Sequence, residues 1–153
     1  MSVEVHAAEP IHVLDASALL RLYLADGPLP EGLEAVMERG CRGEGVLLVP
    51  DLCWLEITSV LAKQASRHLL SPEEAREMLG DLQDLPLRTV ATPDLCPAAL
   101  QLSQREGLSV YDAVYLALAL RQGATLLSAD AQLVAAAGRC GCGSAPPISP
   151  MSS

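Results

Sequence analysis

Short, mainly apolar runs alternate along the chain with longer stretches of helical periodicity. The runs at residues 11–15, 45–49, 87–90 and 124–127 predict strands, because their length and apolar character fit a buried strand. Helices are predicted at residues 16–24, 30–39, 50–67, 94–106, 109–122 and 129–137, and one more begins at Pro72. Strands that alternate with helices in this way favour a parallel sheet covered on both faces.

Two of the predicted helices carry distinct local signals. Ser71 precedes Pro72 and two glutamates. This order predicts an N-cap serine, a proline in the first turn and acidic side chains near the positive end of the helix dipole. In the helix predicted at residues 109–122, apolar side chains occur all round residues 110–120, which is typical of a helix buried in a cover layer or in a subunit contact.

Length and composition predict a single domain. The chain has 153 residues, of which 50% are hydrophobic, and this is enough to form one packed core. We place the domain at residues 11–138 and expect residues 1–10 and 139–153 to be flexible termini, since the C-terminal stretch is rich in Gly, Pro and Ser. Cys140 and Cys142 lie in that stretch, and two thiols alone do not make a zinc site.

The charge balance restricts the classes of partner. Ten basic and 19 acidic residues give a formal net charge of −9. This excludes nucleic-acid binding through a broad basic surface, so a nucleic-acid substrate requires a cation or a local basic strip at its phosphates. The five cysteines form no CxxC pair, and the first ten residues lack the basic segment of a secretory signal. We therefore expect a reducing, cytoplasmic location.

Four acidic residues follow predicted strands or lie near the start of the next helix. Asp15 ends the first strand, and Glu56 lies in the second turn of the helix after the second strand. Asp112 opens the apolar helix, and Asp130 follows the last strand. Because functional residues of parallel sheets gather at the carboxyl ends of the strands, we expect the four carboxylates to converge on one cleft.

A purely structural interpretation also fits the three aspartates. Asp15 and Asp130 are placed to cap the helices that follow them, and Ser109 with Asp112 fits a capping box. Glu56 does not fit this interpretation, because its neighbours are apolar and predict that it points inward. A buried carboxylate is costly without a partner, and the only lysine, Lys63, lies about two helical turns away.

A divalent cation would remove the mutual repulsion of four carboxylates in one small cleft. An all-oxygen ligand set suits Mg²⁺ or Mn²⁺, and Mg²⁺ usually keeps waters and accepts phosphate oxygens as further ligands. Such a site polarises a phosphodiester and generates a nucleophile from water. The four acids therefore predict a site for one or two ions that lets an acidic protein cut a polyanion.

Three segments in a fixed order resemble the PIN-domain nucleases, and most closely the VapC-type toxins of bacterial toxin–antitoxin modules. They are VLDASALL, PDLCWLEITSVL and GLSVYDAVYLALALRQGATLLSADAQL. The resemblance implies a three-layer α/β/α sandwich with a central parallel sheet of about four to five strands. It implies a Mg²⁺- or Mn²⁺-dependent endoribonuclease that acts on RNA. It also implies a homodimer and a cognate antitoxin that binds beside the acidic groove.

The acids of this family correspond to Asp15, Glu56, Asp112 and Asp130. We expect Asp15 and Asp112 to bind the metal directly or nearly so, because they lie at a strand end and at a helix start. Glu56 and Asp130 are expected to hold water beside it.

The small hydroxyl positions of the family correspond to Ser17 and Ser128. A role as ordinary helix-start hydroxyls explains the two serines equally well. Ser59 stands where the family often has asparagine, and a serine can still donate a hydrogen bond there.

Basic and aromatic residues near the acids have two interpretations each. Lys63, Arg67 and Arg21 are candidate contacts for substrate phosphates, but such charged stretches are usually solvated helix faces, which is the favoured interpretation. Tyr111 and Tyr115 flank Asp112. We expect these tyrosines to fill the core or an oligomer contact rather than to stack on bases.

Several other classes place acids at the ends of parallel strands. A receiver domain would have a lysine late in the sheet, whereas Lys63 lies in mid-chain. A haloacid-dehalogenase-like phosphatase would show a second aspartate where this chain has Ser17. A nucleotide-binding module would have a glycine-rich phosphate loop after the first strand, and the sequence has none there. A non-catalytic PIN-fold module that binds only a protein partner stays open, and it would not be stabilised by Mg²⁺ or Mn²⁺.

Overall fold

Four parallel strands form the centre of the molecule. The structure is a computed structural model that describes residues 9–144, and its strands are β1 (Ile11–Leu14), β2 (Val46–Pro50), β3 (Leu87–Val90) and β4 (Thr125–Leu127). They pair in the order β3-β2-β1-β4. Val13 of β1 lies opposite Leu48 on one side and Leu126 on the other. The predicted parallel sheet is confirmed, with four strands.

Helices cover both faces of this sheet. In residues 9–144 they are α1 (Ala16–Arg21), α2 (Leu33–Cys41), α3 (Leu52–Ser66), α4 (Pro72–Gln83), a 3-10 helix (Thr92–Leu95), α5 (Cys96–Glu106), α6 (Val110–Gln122) and α7 (Ala131–Arg139). Helix α6 packs on β1, β2 and β4 and beside α5 and α7, whereas α3 packs on β2 and beside α1 and α4. This is the predicted α/β/α arrangement.

The core consists mainly of Leu, Val and Ala side chains. Helix α6 is buried from Ala113 to Ala119, as its apolar sequence predicts. Among the described residues only Asp15 and Ser128 are both polar and buried, and each is 4% exposed. An ionisable group is costly to bury, so packing alone does not explain a buried Asp15. Asp15 and Ser128 therefore mark their edge of the sheet as a candidate site.

Side-chain hydrogen bonds fix the starts of α3 and α4. Ser71 Oγ accepts from Glu74 N, and Glu74 Oε1 accepts from Ser71 N, both at 3.0 Å, so the helix start predicted at Ser71 is a complete capping box. Asp51, just before α3, accepts hydrogen bonds from the backbone N–H of Thr92 at 3.0 Å and from its hydroxyl. The start of α3 is thereby tied to the chain that leaves β3.

Several helix boundaries differ from the predictions: α2 spans Leu33–Cys41 rather than 30–39, and α3 spans Leu52–Ser66 rather than 50–67. Helix α1 ends at Arg21 rather than at residue 24, before the Asp26-Gly27-Pro28 turn. The helix predicted at 94–106 begins as the 3-10 helix and becomes α5 at Cys96. Helix α7 begins at Ala131 rather than at 129, because the Asp130 side chain caps it from outside.

The chain beyond α7 folds back on the sheet. Cys142 is buried, its carbonyl oxygen accepts from Leu126 N at 2.8 Å, and Gly143 forms a parallel bridge with Leu126. The packed region therefore reaches Gly143, past the boundary expected at residue 138. The rest of the termini expected to be flexible, residues 1–8 and 145–153, lies outside the described residues. Within residues 9–144, every helix is too short or too polar to cross a bilayer.

Candidate active site

Asp15 is the buried carboxylate at the carboxyl end of the central strand β1. Its Oδ1 accepts hydrogen bonds from Ser17 Oγ at 2.7 Å and from Ala18 N at 2.9 Å, so it also caps α1. Its Oδ2 accepts from Ser128 Oγ at 2.5 Å. Burial raises the pKa of Asp15, although these three hydrogen bonds lower it in part. The side chain is thus held firmly in a place that opposes its ionisation.

Ser17 and Ser128 join the ends of β1 and β4. Their hydroxyl oxygens are 3.3 Å apart, and each donates to Asp15. Ser17 Oγ also accepts from Ala129 N at 3.0 Å, and Ser128 Oγ accepts from Asp130 N at 2.9 Å. Each hydroxyl therefore orients Asp15 and fixes the loop after β4, which is more than a helix-start role.

Asp112 and Asp130 stand at the starts of α6 and α7. Asp130 Oδ1 accepts from the backbone N–H groups of Gln132 and Leu133 at 2.9 and 3.0 Å, so the residue is a true N-cap. Asp112 is held through its own backbone N–H, which donates to Ser109 Oγ at 3.1 Å. Its carboxylate is half-buried, and its pKa is raised by burial and then by the negative charge of Asp130.

Glu56 finds its partner on α6. The hydroxyl of Tyr115 donates to Glu56 Oε1 at 2.6 Å. Burial raises the pKa of Glu56, the Tyr115 hydrogen bond lowers it, and the charges of Asp112 and Asp15 raise it again. Tyr115 itself is 1% exposed. The expected core tyrosine therefore also positions an acid.

Electrostatic interactions connect all four acids. Asp112 raises the pKa of Asp15, and both of them raise the pKa of Glu56. Asp130 in turn raises the pKa of Asp112. Residues that lie far apart in the sequence thus meet at the carboxyl ends of β1 and β4 and at the starts of α6 and α7. The structure brings the four predicted acids together.

The PIN domain family matches residues 12–139 of the chain. This stretch begins in β1, ends at the last residue of α7 and contains the four acids. The chain belongs to the PIN domain family.

Curated relatives and solved structures agree with this family. The chain is 36% identical over 123 residues to Ribonuclease VapC3 of Pyrobaculum aerophilum, covering 79% of this chain and 90% of that protein. It is 32% identical over 127 residues to Ribonuclease VapC1 of Mycobacterium tuberculosis, covering 82% and 90%.

Two solved structures share the fold at lower identity. PAE2754 of Pyrobaculum aerophilum superposes with a TM-score of 0.65 at 24% identity, covering 84% of this chain and 80% of that one. VapBC2 of Rickettsia felis, solved with a DNA fragment from its promoter, gives a TM-score of 0.57 at 15% identity and covers 76% and 85%.

The donor set of this PIN domain suits a hard divalent cation by its chemistry. Four carboxylates and two hydroxyls supply only oxygen, the ligand that Mg²⁺ and Mn²⁺ prefer. Within residues 9–144, however, no three Asp, Glu, His or Cys side chains are arranged to hold one ion together. The donors thus suit such an ion by their chemistry, but the described side chains do not surround one common point.

The three candidate basic residues occupy different places. Lys63 and Arg67 are exposed at the end of α3, and Lys63 lies roughly 10 Å along the helix from Glu56 at 1.5 Å per residue. Arg21 ends α1 and lines a cleft together with Ser17. Only Arg21 thus shares a surface with a residue that contacts Asp15.

The hydrogen bond between Tyr115 and Glu56 is the feature of the site that sequence reasoning missed. A signal for it exists in the sequence, because Tyr115 follows Asp112 by three residues and so lies on the same side of α6. The three-residue spacing of Asp112 and Tyr115 therefore places a carboxylate and a phenol toward the same edge of the sheet.

Proposed function

We propose that this PIN-domain protein is an endoribonuclease that needs Mg²⁺ or Mn²⁺ and acts as the toxin of a toxin–antitoxin pair. The observation that carries the proposal is the buried, hydrogen-bonded Asp15 with three further acids around it, whose charges raise one another's pKa values. A protein gains nothing for packing from such a group, whereas a cation would stabilise it. The names of the two ribonuclease relatives support RNA as the substrate.

Each acid has a role that follows from its position. Asp15 and Asp112 would hold one or two ions, and Ser17 and Ser128 keep Asp15 in place. The ion, when bound, would polarise the phosphodiester and neutralise charge on its oxygens. Glu56 would orient the attacking water through the carboxylate oxygen that Tyr115 leaves free.

One carboxylate oxygen of Asp130 accepts both hydrogen bonds of the α7 cap. In the proposal the other carboxylate oxygen of Asp130 holds a water beside the metal. The basic side chains of Lys63 and Arg67 would meet the RNA only beyond the cleaved bond, because they lie at the far end of α3.

Cleavage of a labelled RNA with Mg²⁺, Mn²⁺ or EDTA tests this proposal. The wild type should cut only with metal, and Asp15→Asn and Asp112→Asn should each lose at least about a hundredfold in rate, as removal of a metal ligand typically costs more than removal of a supporting contact. Asp84→Asn, at an exposed aspartate that ends α4, is the matched control and should cut like the wild type. Cleavage that survives EDTA or Asp112→Asn would contradict the proposal.

The competing assignment is a PIN-fold module that only binds a protein. If the protein is such a module, its thermal midpoint should not change with millimolar Mg²⁺ or Mn²⁺. An ion that binds only the native state must raise the thermal midpoint. An upward shift in the wild type that is absent in Asp112→Asn favours the nuclease.

The proposed partners are a second copy of the chain and a cognate antitoxin in the cytoplasm. The VapBC2 complex, which shares this fold, supports the antitoxin. An acidic cleft suits an antitoxin segment that presents arginine, which binds carboxylates through two hydrogen bonds. Light scattering should give twice 16.1 kDa for the isolated protein, and a monomer would contradict the homodimer.

A further inference from the structure

Arg21 carries a buried polar atom with no partner. Its Nη1 is covered and has no hydrogen-bond acceptor in the structure. Among residues 9–144, no hydrogen bond or ion pair of the other guanidinium nitrogens is seen either. A guanidinium presents five N–H donors and stays charged, so leaving it covered and unpaired is costly. This is unusual in a chain with 19 acidic and 10 basic residues.

The loop after α1 is shaped to hold this guanidinium. A Cβ built on Gly27 would lie 2.3 Å from Arg21 Nη1 and 2.9 Å from its Cζ. Any side chain larger than hydrogen at residue 27 would therefore displace the guanidinium from its place. The absence of a side chain at Gly27 leaves space for the Arg21 guanidinium but gives it no partner. We call this space the seat of Arg21.

The seat opens on a cleft next to the acids. The cleft holds about 150 Å³ and is lined by Ser17, Leu20, Arg21, Leu24, Asp26 and Val60. That is roughly the volume of five waters at about 30 Å³ each, which is enough for one phosphate group. Ser17 belongs to both places, because it lines the cleft and donates to Asp15 at 2.7 Å.

The charge around the cleft argues for an anion that arrives with the substrate. Asp26 lines the same cleft, and yet no ion pair joins it to Arg21 within the described part of the chain. Asp15 already accepts hydrogen bonds from Ser17 and Ser128. In the proposed function, Asp15 and Asp112 also hold the metal. A planar guanidinium with free donors matches the paired oxygens of a phosphate.

We infer that Arg21, seated on Gly27, binds a phosphate of the RNA adjacent to the one that is cleaved. This inference rests on the proposed nuclease function and adds to it a second contact with the substrate backbone. The contact binds ground state and transition state alike, so its loss raises KM and leaves kcat nearly unchanged.

Steady-state cleavage of one short RNA by four variants tests the inference. Arg21→Ala should raise KM about tenfold with kcat within about twofold, and Arg21→Lys should recover part of the affinity. Gly27→Ala keeps the charge but removes the seat, so it should reproduce most of the increase in KM. Arg76→Ala, at an exposed arginine of α4 that pairs with Glu73, is the control and should keep the wild-type KM.

Two further measurements distinguish a role of Arg21 in RNA binding from a role in the stability of the fold. RNA binding followed by fluorescence anisotropy should show a salt dependence that is weaker in Arg21→Ala by about 0.7 in the slope of log K against log salt, the value for one phosphate contact with a single strand. The thermal midpoint of Arg21→Ala should be equal to or above that of the wild type, because no protein partner is lost. A lower midpoint with unchanged KM would overturn the inference.

The outcomes distinguish this inference from the proposed function. If the wild type cuts RNA with metal but Arg21→Ala keeps the wild-type KM and salt slope, only the inference fails. If the wild type neither cuts nor binds the RNA, both fail. If Arg21→Ala weakens only the binding of a protein partner, the cleft takes a carboxylate of that partner and the phosphate assignment is wrong.

Discussion

Single side chains determine the chemistry of the acidic edge. Three hydrogen bonds hold the Asp15 carboxylate, and one holds Glu56 through Tyr115. Each of these bonds lowers a pKa that burial raises. The hydroxyl groups thus favour the ionised carboxylates, the form that can act as a base or ligand, in a place where burial disfavours it.

Tyr115→Phe tests the role of the tyrosine that touches Glu56. The change keeps the ring packed in the core and removes the hydrogen bond to Oε1. Because that bond lowers the pKa of Glu56, its loss should raise this pKa further. The acidic limb of the cleavage profile should then move to higher pH, and the rate near neutral pH should fall roughly tenfold, the equivalent of about 1.4 kcal/mol.

The control for this change is Tyr111→Phe on the same helix, at a tyrosine that is 61% exposed. It should keep both the rate and the pH profile. A Tyr115→Phe protein whose pH profile matches the wild type would show that the tyrosine only fills space.

Whole elements were the part of the fold that the sequence could predict best. The strand at residues 87–90 has the predicted bounds, β1 and β4 differ by one residue at one end, and β2 is shifted by one residue at both ends. The agreement is close because short apolar runs between turn residues are local signals. The 3-10 helix before α5 and the return of Cys142 to the sheet were not predictable in this way. Both depend on contacts with residues distant in the sequence, such as Asp51 and Leu126.

The same limit applies to the site. Strand ends and helix starts placed Asp15, Asp112 and Asp130 correctly at one edge, since the geometry of a parallel sheet follows from topology. The partner of Glu56 lies 59 residues away. The three-residue spacing of Asp112 and Tyr115 places the tyrosine at this edge but does not specify that it binds Glu56. Arg21, which has no partner among residues 9–144, was visible in the sequence only as one of several basic residues.

Two serine caps form a matched pair at the scale of elements. Ser71 caps α4, which carries none of the four acids, and Ser109 caps α6 at the backbone N–H of Asp112. Ser71→Ala and Ser109→Ala should each lower the free energy of unfolding by about 1 kcal/mol in urea titrations. Only Ser109→Ala should also slow RNA cleavage, since it removes the hydrogen bond that positions Asp112, which holds the ion in the proposed function. Equal cleavage by both variants would show that the cap of α6 does not position Asp112.

For the molecule as a whole, function and stability oppose each other. The acids that define the PIN-domain site repel one another, and a net charge of −9 adds to that repulsion. The folded protein therefore holds protons on Asp15, Glu56 and Asp112 at pH values where the unfolded chain has released them. The apolar core offsets the free-energy cost of this repulsion among the acids at one edge of the sheet.

The pH dependence of stability follows from the sign of these shifts. The three raised pKa values stabilise the fold fully below the ordinary carboxyl values of 3.8 and 4.5, and this stabilisation is lost as pH rises through the raised values. Without metal, the stability of the wild type relative to Asp112→Asn should therefore fall as the pH rises from the ordinary value of 3.8 through the raised pKa of Asp112.

Comparing these two proteins removes the contribution of His12, whose lowered pKa gives a slope of the opposite sign and is present in both. Chemical denaturation at several pH values in EDTA measures the difference. A difference that grows in favour of the wild type as pH rises would mean that Asp112 is not strained by its neighbours.

Calorimetric titration of Mn²⁺ into the metal-free protein tests the central claim, that an ion and the four acids form one site. The account predicts binding of one or two ions to the wild type, with release of protons from carboxylates of raised pKa. Asp15→Asn and Asp112→Asn should each abolish this heat, and Asp84→Asn should retain it. Absence of binding by the wild type, or wild-type binding by Asp112→Asn, would contradict the account.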